Sequence, residues 1–214
     1  RFSDTPELDA IELLHLKCGR VFGAEMRCGY CHDAVRMADV SYLPGPGATR
    51  DERDKKVRRR SSVSVKDLPG SRSLYKNLIH LVGDRWTANV IALSFHGMTR
   101  FDEFHQELPV ATNILADRLK FLVDEGVYRQ QVYRQRPLRN EYRLTEKGEA
   151  LYPWFLSLLQ WGDKWCRPDG SGKPMRLMHE PCGQSLRGQV TCSACGGVLR
   201  AHEVEFSLGP DAAS

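Results

Sequence analysis

Long apolar runs are missing from this sequence. No stretch approaches the ~18–20 residues that a helix needs to cross a bilayer, so a membrane-spanning helix is not expected. The opening lacks a basic-then-apolar leader as well: Asp4, Glu7 and Asp9 fall where one would stand. A cytoplasmic protein with reduced thiols is therefore expected. The start at Arg1 reads as that of a fragment or a processed product. Strong charge of one sign is missing too, since a formal net charge of +4 permits an anionic partner without requiring one. No Ser/His/Asp or His/Glu set stands at catalytic spacing, which argues against an enzyme. One absence is local: from Val127 to Asn140 there is no carboxylate at all.

What is present begins with a repeat. HLKCGRVFGAEMRCGYCHDAV, starting at His15, matches HEPCGQSLRGQVTCSACGGVL, starting at His179. The register holds without a gap through Arg36 with Arg200, Val40 with Val204 and Gly45-Pro46 with Gly209-Pro210. Between the copies lie a linker and one further domain, whereas only a short segment precedes His15. The expectation is a tandem duplication whose first copy of that further domain is absent from this sequence.

Six of the seven cysteines fall in the repeated H-x2-C-G-x8-C-x2-C pattern. Donors two residues apart let the backbone turn both toward one ion, and Gly19, Gly183 and Gly196 follow cysteines where such a turn needs positive φ. Soft and borderline donors in tetrahedral reach select zinc over magnesium or calcium. Each copy is thus expected to hold its own structural zinc, with His15, Cys18, Cys28 and Cys31 as one ligand set and His179, Cys182, Cys192 and Cys195 as the other. Neither copy is large enough to fold on apolar burial alone, so metal would supply much of the folding free energy. Disulfides, and a ribbon that has lost its metal, are the competing readings; His32, where the second copy has Gly196, makes the first set the more ambiguous. Cys166 lies outside the pattern and reads as a packed small residue.

Gly45 to Ser71 is rich in Gly, Pro, Ser and charge and reads as a connector. Its basic run, Lys55 to Arg60, suits phosphates, but Asp51, Glu52 and Asp54 balance it and a solvated linker explains it equally well.

From Ser73 the pattern turns periodic. Leu74, Leu78, Leu81 and Val82 mark a helix capped by Ser73; a second runs from about Arg85 to Phe95; Asp102 caps a short third, which Pro109 stops. A fourth helix, capped by Thr112 or Asn113, buries Leu115, Leu119 and Leu122 and ends at Gly126. Two short helices joined by a tight turn make a helix-turn-helix. VYRQQVYR and NEYRLT then read as a hairpin, the wing, and a last amphipathic helix spans about Glu146 to Trp165. The wing carries Arg129, Arg134, Arg136 and Arg139, suited to phosphates or a minor groove. The fourth helix offers Thr112, Asn113, Ala116 and Lys120 to base edges, with Arg118 either on phosphate or paired with Asp117, Asp124 or Glu125.

LVGDRWTANVIALSFHGMTRFDEF, VATNILADRLKFLVDEGVY and NEYRLTEKGEAL, in this order, resemble the HxlR-type transcription regulators over about residues 73–162. The resemblance implies a dimeric winged helix-turn-helix regulator whose dimer contact comes from the helix at Leu74–Val82 and the tryptophan-rich helix ending near Trp165. The H-x2-C-G and C-x2-C elements are similar to tails on longer members. Ser73 stands where some members carry an oxidant-sensing cysteine, so a thiol switch at that position is excluded.

The fold expected is α+β, a winged helix-turn-helix domain flanked by two small zinc-ribbon-like β modules. The boundaries read as 1–46 (module), 47–72 (linker), 73–166 (winged domain) and 167–214 (module). The expected function is regulation of transcription, more often repression, through double-stranded DNA, as a homodimer or an intramolecular pseudo-dimer and away from membranes. A protein-interaction module or dimerisation adaptor is the alternative, and the polar face of the fourth helix weighs against it.

Overall fold

The computed structural model describes residues 11–47, 76–166 and 172–208. In chain order the elements are β1 (Ile11–His15), β2 (Arg20–Val21), β3 (Ala24–Cys28), β4 (Val40–Pro44), α1 (Lys76–Val82), α2 (Arg85–Phe95), α3 (Phe101–Glu107) and α4 (Thr112–Asp124). There follow β5 (Tyr128–Gln135), β6 (Leu138–Leu144), α5 (Glu146–Glu149), α6 (Tyr152–Trp165), β7 (Met175–His179), β8 (Gln184–Ser185), β9 (Gly188–Cys192) and β10 (Val204–Leu208). They form two compact units: Arg50–Leu151, and Arg1–Thr49 together with Tyr152–Ser214.

The Arg50–Leu151 unit is the winged domain. Val90 and Ile91 of α2, Phe104 of α3, and Leu115, Leu119 and Leu122 of α4 are fully buried, each on the stripe that helical periodicity predicts. Tyr128 at the root of β5 is buried with them; its hydroxyl meets Ser94 Oγ and donates to the Val90 carbonyl. Burial pushes the Tyr128 phenol up, so it remains a neutral donor. Lys147 donates to the Glu125 carbonyl at 2.9 Å, fastening the end of α4 to the foot of the wing. Asp84 caps α2 by accepting from the N–H groups of Trp86 and Thr87, both at 3.1 Å.

Three local expectations change. Ser73 and Leu74 lie outside the described residues. Arg100, rather than Asp102, holds the cap position of α3, where Glu103 folds back to accept from the N–H groups of Thr99 and Arg100, each at 2.9 Å. Ala111 holds that position for α4, so Thr112 and Asn113 begin the helix with their side chains outward. The single last helix is in fact α5 and α6, divided before Pro153, which has no N–H to continue the earlier ladder.

The second unit corrects the expectation of two separate modules. Strand β1 pairs with β10 and β2, β7 pairs with β4 and β8, and β3 pairs with β9. Every one of the three sheets therefore joins strands of both copies. The registers repeat under an internal two-fold: His15 opposite Val204 matches His179 opposite Val40, and Ala24 opposite Cys192 matches Cys28 opposite Gly188. The pair Met26–Val190 is its own counterpart, so the pseudo-axis passes through it. The hairpin β1–β2 has one free edge and no partner for its own β4 within the copy, and exchange of the fourth strand satisfies the backbone groups of both copies. Helix α6 belongs to this unit and not, as expected, to the winged domain.

Candidate nucleic-acid interface and metal centres

On α4, Thr112, Asn113, Ala116, Asp117 and Lys120 are exposed along one face, opposite the buried leucines. Lys120 reaches Asp124 at 2.9 Å, an exposed pair one turn apart that any stronger anion would displace. Arg118 differs from every option considered above: its Nε donates at 2.9 Å to Asp84 Oδ1, the carboxylate that caps α2. Half-buried and engaged, Arg118 ties α4 to the start of α2 and is withdrawn from the contact face.

The hairpin β5–β6 extends the same unit. Arg129, Arg134, Arg136 and Arg139 are all exposed, and among the described residues none has a carboxylate within ion-pair range. Arg134 Nε donates to the Arg136 carbonyl at 3.1 Å, which stiffens the tip. A register shift between Val132 and Arg134 kinks β5 there and brings Arg134 opposite Arg139. Leu138 is exposed at the tip between Arg136 and Arg139. At the base, Tyr142 N–H donates to the Thr99 carbonyl at 2.7 Å, so the extended piece before α3 backs the wing.

The cysteines and histidines gather in two quartets, each drawn from both copies. One is His15, Cys18, Cys192 and Cys195; the other is Cys28, Cys31, His179 and Cys182. Within each, the ligand atoms all lie within 4.8 Å of one another. Cys18 and Cys192 sulphurs are 4.0 Å apart, Cys28 and Cys182 3.9 Å; His15 Nδ1 stands 3.4 Å from Cys195 Sγ, and His179 Nδ1 3.4 Å from both Cys31 and Cys182. A tetrahedral zinc with sulphur bonds of about 2.3 Å sets its sulphurs roughly 3.8 Å apart, so the quartets fit such an ion. All seven cysteines are free thiols, which sets the disulfide reading aside. The imidazoles are buried, with Nδ1 toward the sulphurs and Nε2 without a hydrogen-bond partner.

The thiols show how charge crowds the quartets. Burial pushes Cys28 up, but the N–H groups of Cys31 and Tyr30 outweigh it and hold the thiol below its ordinary range. Cys192 is lowered in the same way by the N–H groups of Ala194 and Cys195, against burial. For Cys31 the Asp33 N–H favours the thiolate, yet burial and the neighbouring Cys28 and Cys182 carry it up to about 11. A central dication removes that mutual repulsion.

The helix-turn-helix part of the chain has counterparts elsewhere. The HxlR-like helix-turn-helix family model matches residues 81–170. An uncharacterized HTH-type transcriptional regulator of Mycobacterium bovis is 36% identical over 132 residues, 62% of this chain and 83% of its own length. The chain belongs to the HxlR-like helix-turn-helix family. The HTH-type transcriptional regulator YodB of Bacillus subtilis is 36% identical over 89 residues, 41% of this chain and 80% of its own. The solved structure of PA1607, described as a candidate transcription factor, superposes with a TM-score of 0.55 at 36% identity, covering 64% of this chain and 95% of that one. The last match is longer than the family model's span, so this HxlR-like chain shares more than the winged domain with it.

Within this HxlR-like chain the expected residues divide as follows. Thr112, Asn113, Ala116 and Lys120 share the outer face of α4, and Arg134, Arg136 and Arg139 share the wing tip. Arg118 leaves the set. All eight metal-ligating candidates come together, but not as one quartet per copy. Asp117, which sequence reasoning considered only as a partner for Arg118, is exposed on the same face of α4 one turn after Asn113. Cys166 is exposed rather than packed.

Proposed function

We propose that the protein is a cytoplasmic, sequence-specific DNA-binding regulator, acting as a repressor, that reads duplex DNA with the outer face of α4 and grips phosphate with the wing. The observation that carries this reading is the pairing of an exposed polar helix face with a hairpin in which Arg129, Arg134, Arg136 and Arg139 have no carboxylate partner among the described residues, whereas Arg143 pairs with Glu141. Asn113 suits adenine bidentately, Thr112 and Ala116 suit a thymine methyl, and Asp117 accepts from a cytosine amino group. Arg134, Arg136 and Arg139 supply the sequence-independent term, with Leu138 as an apolar wedge against the groove wall. No helix among the described residues is long and apolar enough to cross a membrane.

The quartets hold structural zinc, one ion each, in Cys3His ligation through Nδ1. With four protein donors per ion no open position remains, as suits structural zinc and not a catalytic one. Zinc supplies charge compensation for the thiolates, and the residues themselves fix the strand exchange around it. Dimerisation runs through α1 and α6. On α6, Leu158, Trp161 and Trp165 form an exposed apolar stripe, which supports that assignment. A dimer covering a promoter excludes polymerase without further contacts, which is why repression is assigned.

Selection of duplexes from a random pool tests the reading. Recovered sequences should converge on one half-site, and Asn113→Ala should cut the preference for that site over random duplex by about 1–3 kcal/mol. Failure of the pool to converge would defeat sequence-specific recognition, and equal losses on both duplexes would make Asn113 a backbone contact.

A further inference from the structure

The internal two-fold of the interlocked ribbons relates two apolar faces, and α6 covers only one of them. Its stripe Tyr152, Leu156 and Gln160 lies against the β3–β9 ribbon. Tyr42 donates to the Tyr152 hydroxyl at 3.0 Å. A Cβ added at Gly188 would stand 3.3 Å from Leu156 Cδ2, 2.9 Å from Gln160 Nε2 and 2.8 Å from Met26 Sδ. Glycine at 188 thus lets the helix sit directly on the strand.

The two-fold carries this footprint onto Ala24, Val190 and Phe206, the counterparts of Gly188, Met26 and Tyr42. These are apolar too, yet uncovered. Met26 is 6% exposed and Val190 37%, while Phe206 is 65% exposed where Tyr42 is half-buried. The imbalance extends outward in the same sense, with Leu177 and Val40 buried and their counterparts Leu13 and Val204 only partly so. One half of a symmetric surface is packed, and the other, with Ala24 for Gly188, Val190 for Met26 and Phe206 for Tyr42, offers a related apolar surface to solvent, on which a helix would sit slightly higher above the strand.

We infer that the face around Ala24, Val190 and Phe206 is a second docking site for a helix of the α6 kind, one that follows a second winged domain in sequence as α6 follows this one. The occupant is specified by α6 itself: an amphipathic helix with an aromatic ring one turn before a leucine on its apolar face, the ring meeting Phe206 by apolar contact in place of the Tyr42 hydroxyl. The face would be a poor seat for a second α6 of an identical chain, whose own α6 is already engaged. The inference rests on the ribbon geometry and holds whether or not the winged domain binds DNA.

A stapled peptide of the α6 sequence, Tyr152–Trp165, bridged across the exposed positions of Trp161 and Trp165, is the probe. Stapling removes the helix-forming cost that a free 14-residue peptide would meet. Titrated against the full zinc-loaded chain, it should saturate at one peptide per chain. Val190→Asp and Phe206→Ala should each weaken it at least tenfold, with both metals retained as a check on folding. Absence of saturable binding, or binding indifferent to both substitutions, overturns the site. So does a chain dimer that Val190→Asp dissociates while the peptide fails to compete, which would mean that two such faces pack on each other.

Discussion

At the scale of single residues, the charges that matter are those left without partners. Arg118 is an arginine on the recognition helix, yet Asp84 claims it, and its removal should loosen the α2–α4 angle more than it weakens phosphate contact. Arg136 is the opposite case: exposed, unpaired and at the wing tip. Arg136→Ala should weaken binding to operator and random duplex alike and shallow the log–log salt slope by about one unit. An unchanged slope would take the wing off the DNA. His32 shows a different economy. It adopts φ of 65° where its counterpart Gly196 has 71°, with its N–H on the Cys28 carbonyl. A side chain in the left-handed region costs roughly 1–2 kcal/mol, so His32→Gly should raise the unfolding free energy of the zinc-loaded chain by about 1 kcal/mol in denaturant titrations. A loss of stability would mean that the imidazole contributes something the backbone argument omits.

At the scale of elements, the winged domain was legible because burial imposes periodicity on its helices, with Leu115, Leu119 and Leu122 at helical spacing, while the exposed wing was legible from its strand-forming composition and the turn around Pro137. Cap positions were less so. Nothing local distinguishes Thr112 as a cap from Thr112 as a first helical residue, and only the extended path through Ala111 decides it. The ligand types were legible from H-x2-C and C-x2-C, but their partition was not, because each half-site has the same spacing whichever copy completes it. Strand exchange between β3 and β9 is a long-range fact with no local signature. Paired substitutions read that partition directly. Cys18→Ser with Cys192→Ser removes two ligands of one quartet and should leave one tightly held zinc per chain. Cys18→Ser with Cys28→Ser removes one ligand from each quartet and should leave no intact site. Tetrahedral cobalt absorption and metal analysis distinguish the two. The reverse pattern would restore one site per copy and refute the exchange.

At the scale of the molecule, strand exchange turns a duplicated sequence into a single two-fold object. Neither copy supplies a complete quartet, so a metal bound at either one would link the two copies of the repeat. The α6 stripe facing the ribbon and the exposed stripe of Leu158, Trp161 and Trp165 give that helix two apolar surfaces, one internal and one available to a partner.

The most direct test of the central claim is equilibrium binding of the zinc-loaded chain to operator and random duplexes from about 50 to 200 mM salt. Affinity should fall linearly on log–log axes, by about 0.9 per phosphate contact, with the operator bound more tightly at every salt concentration. A flat salt dependence, or no binding at the lowest salt, would contradict a DNA-gripping wing.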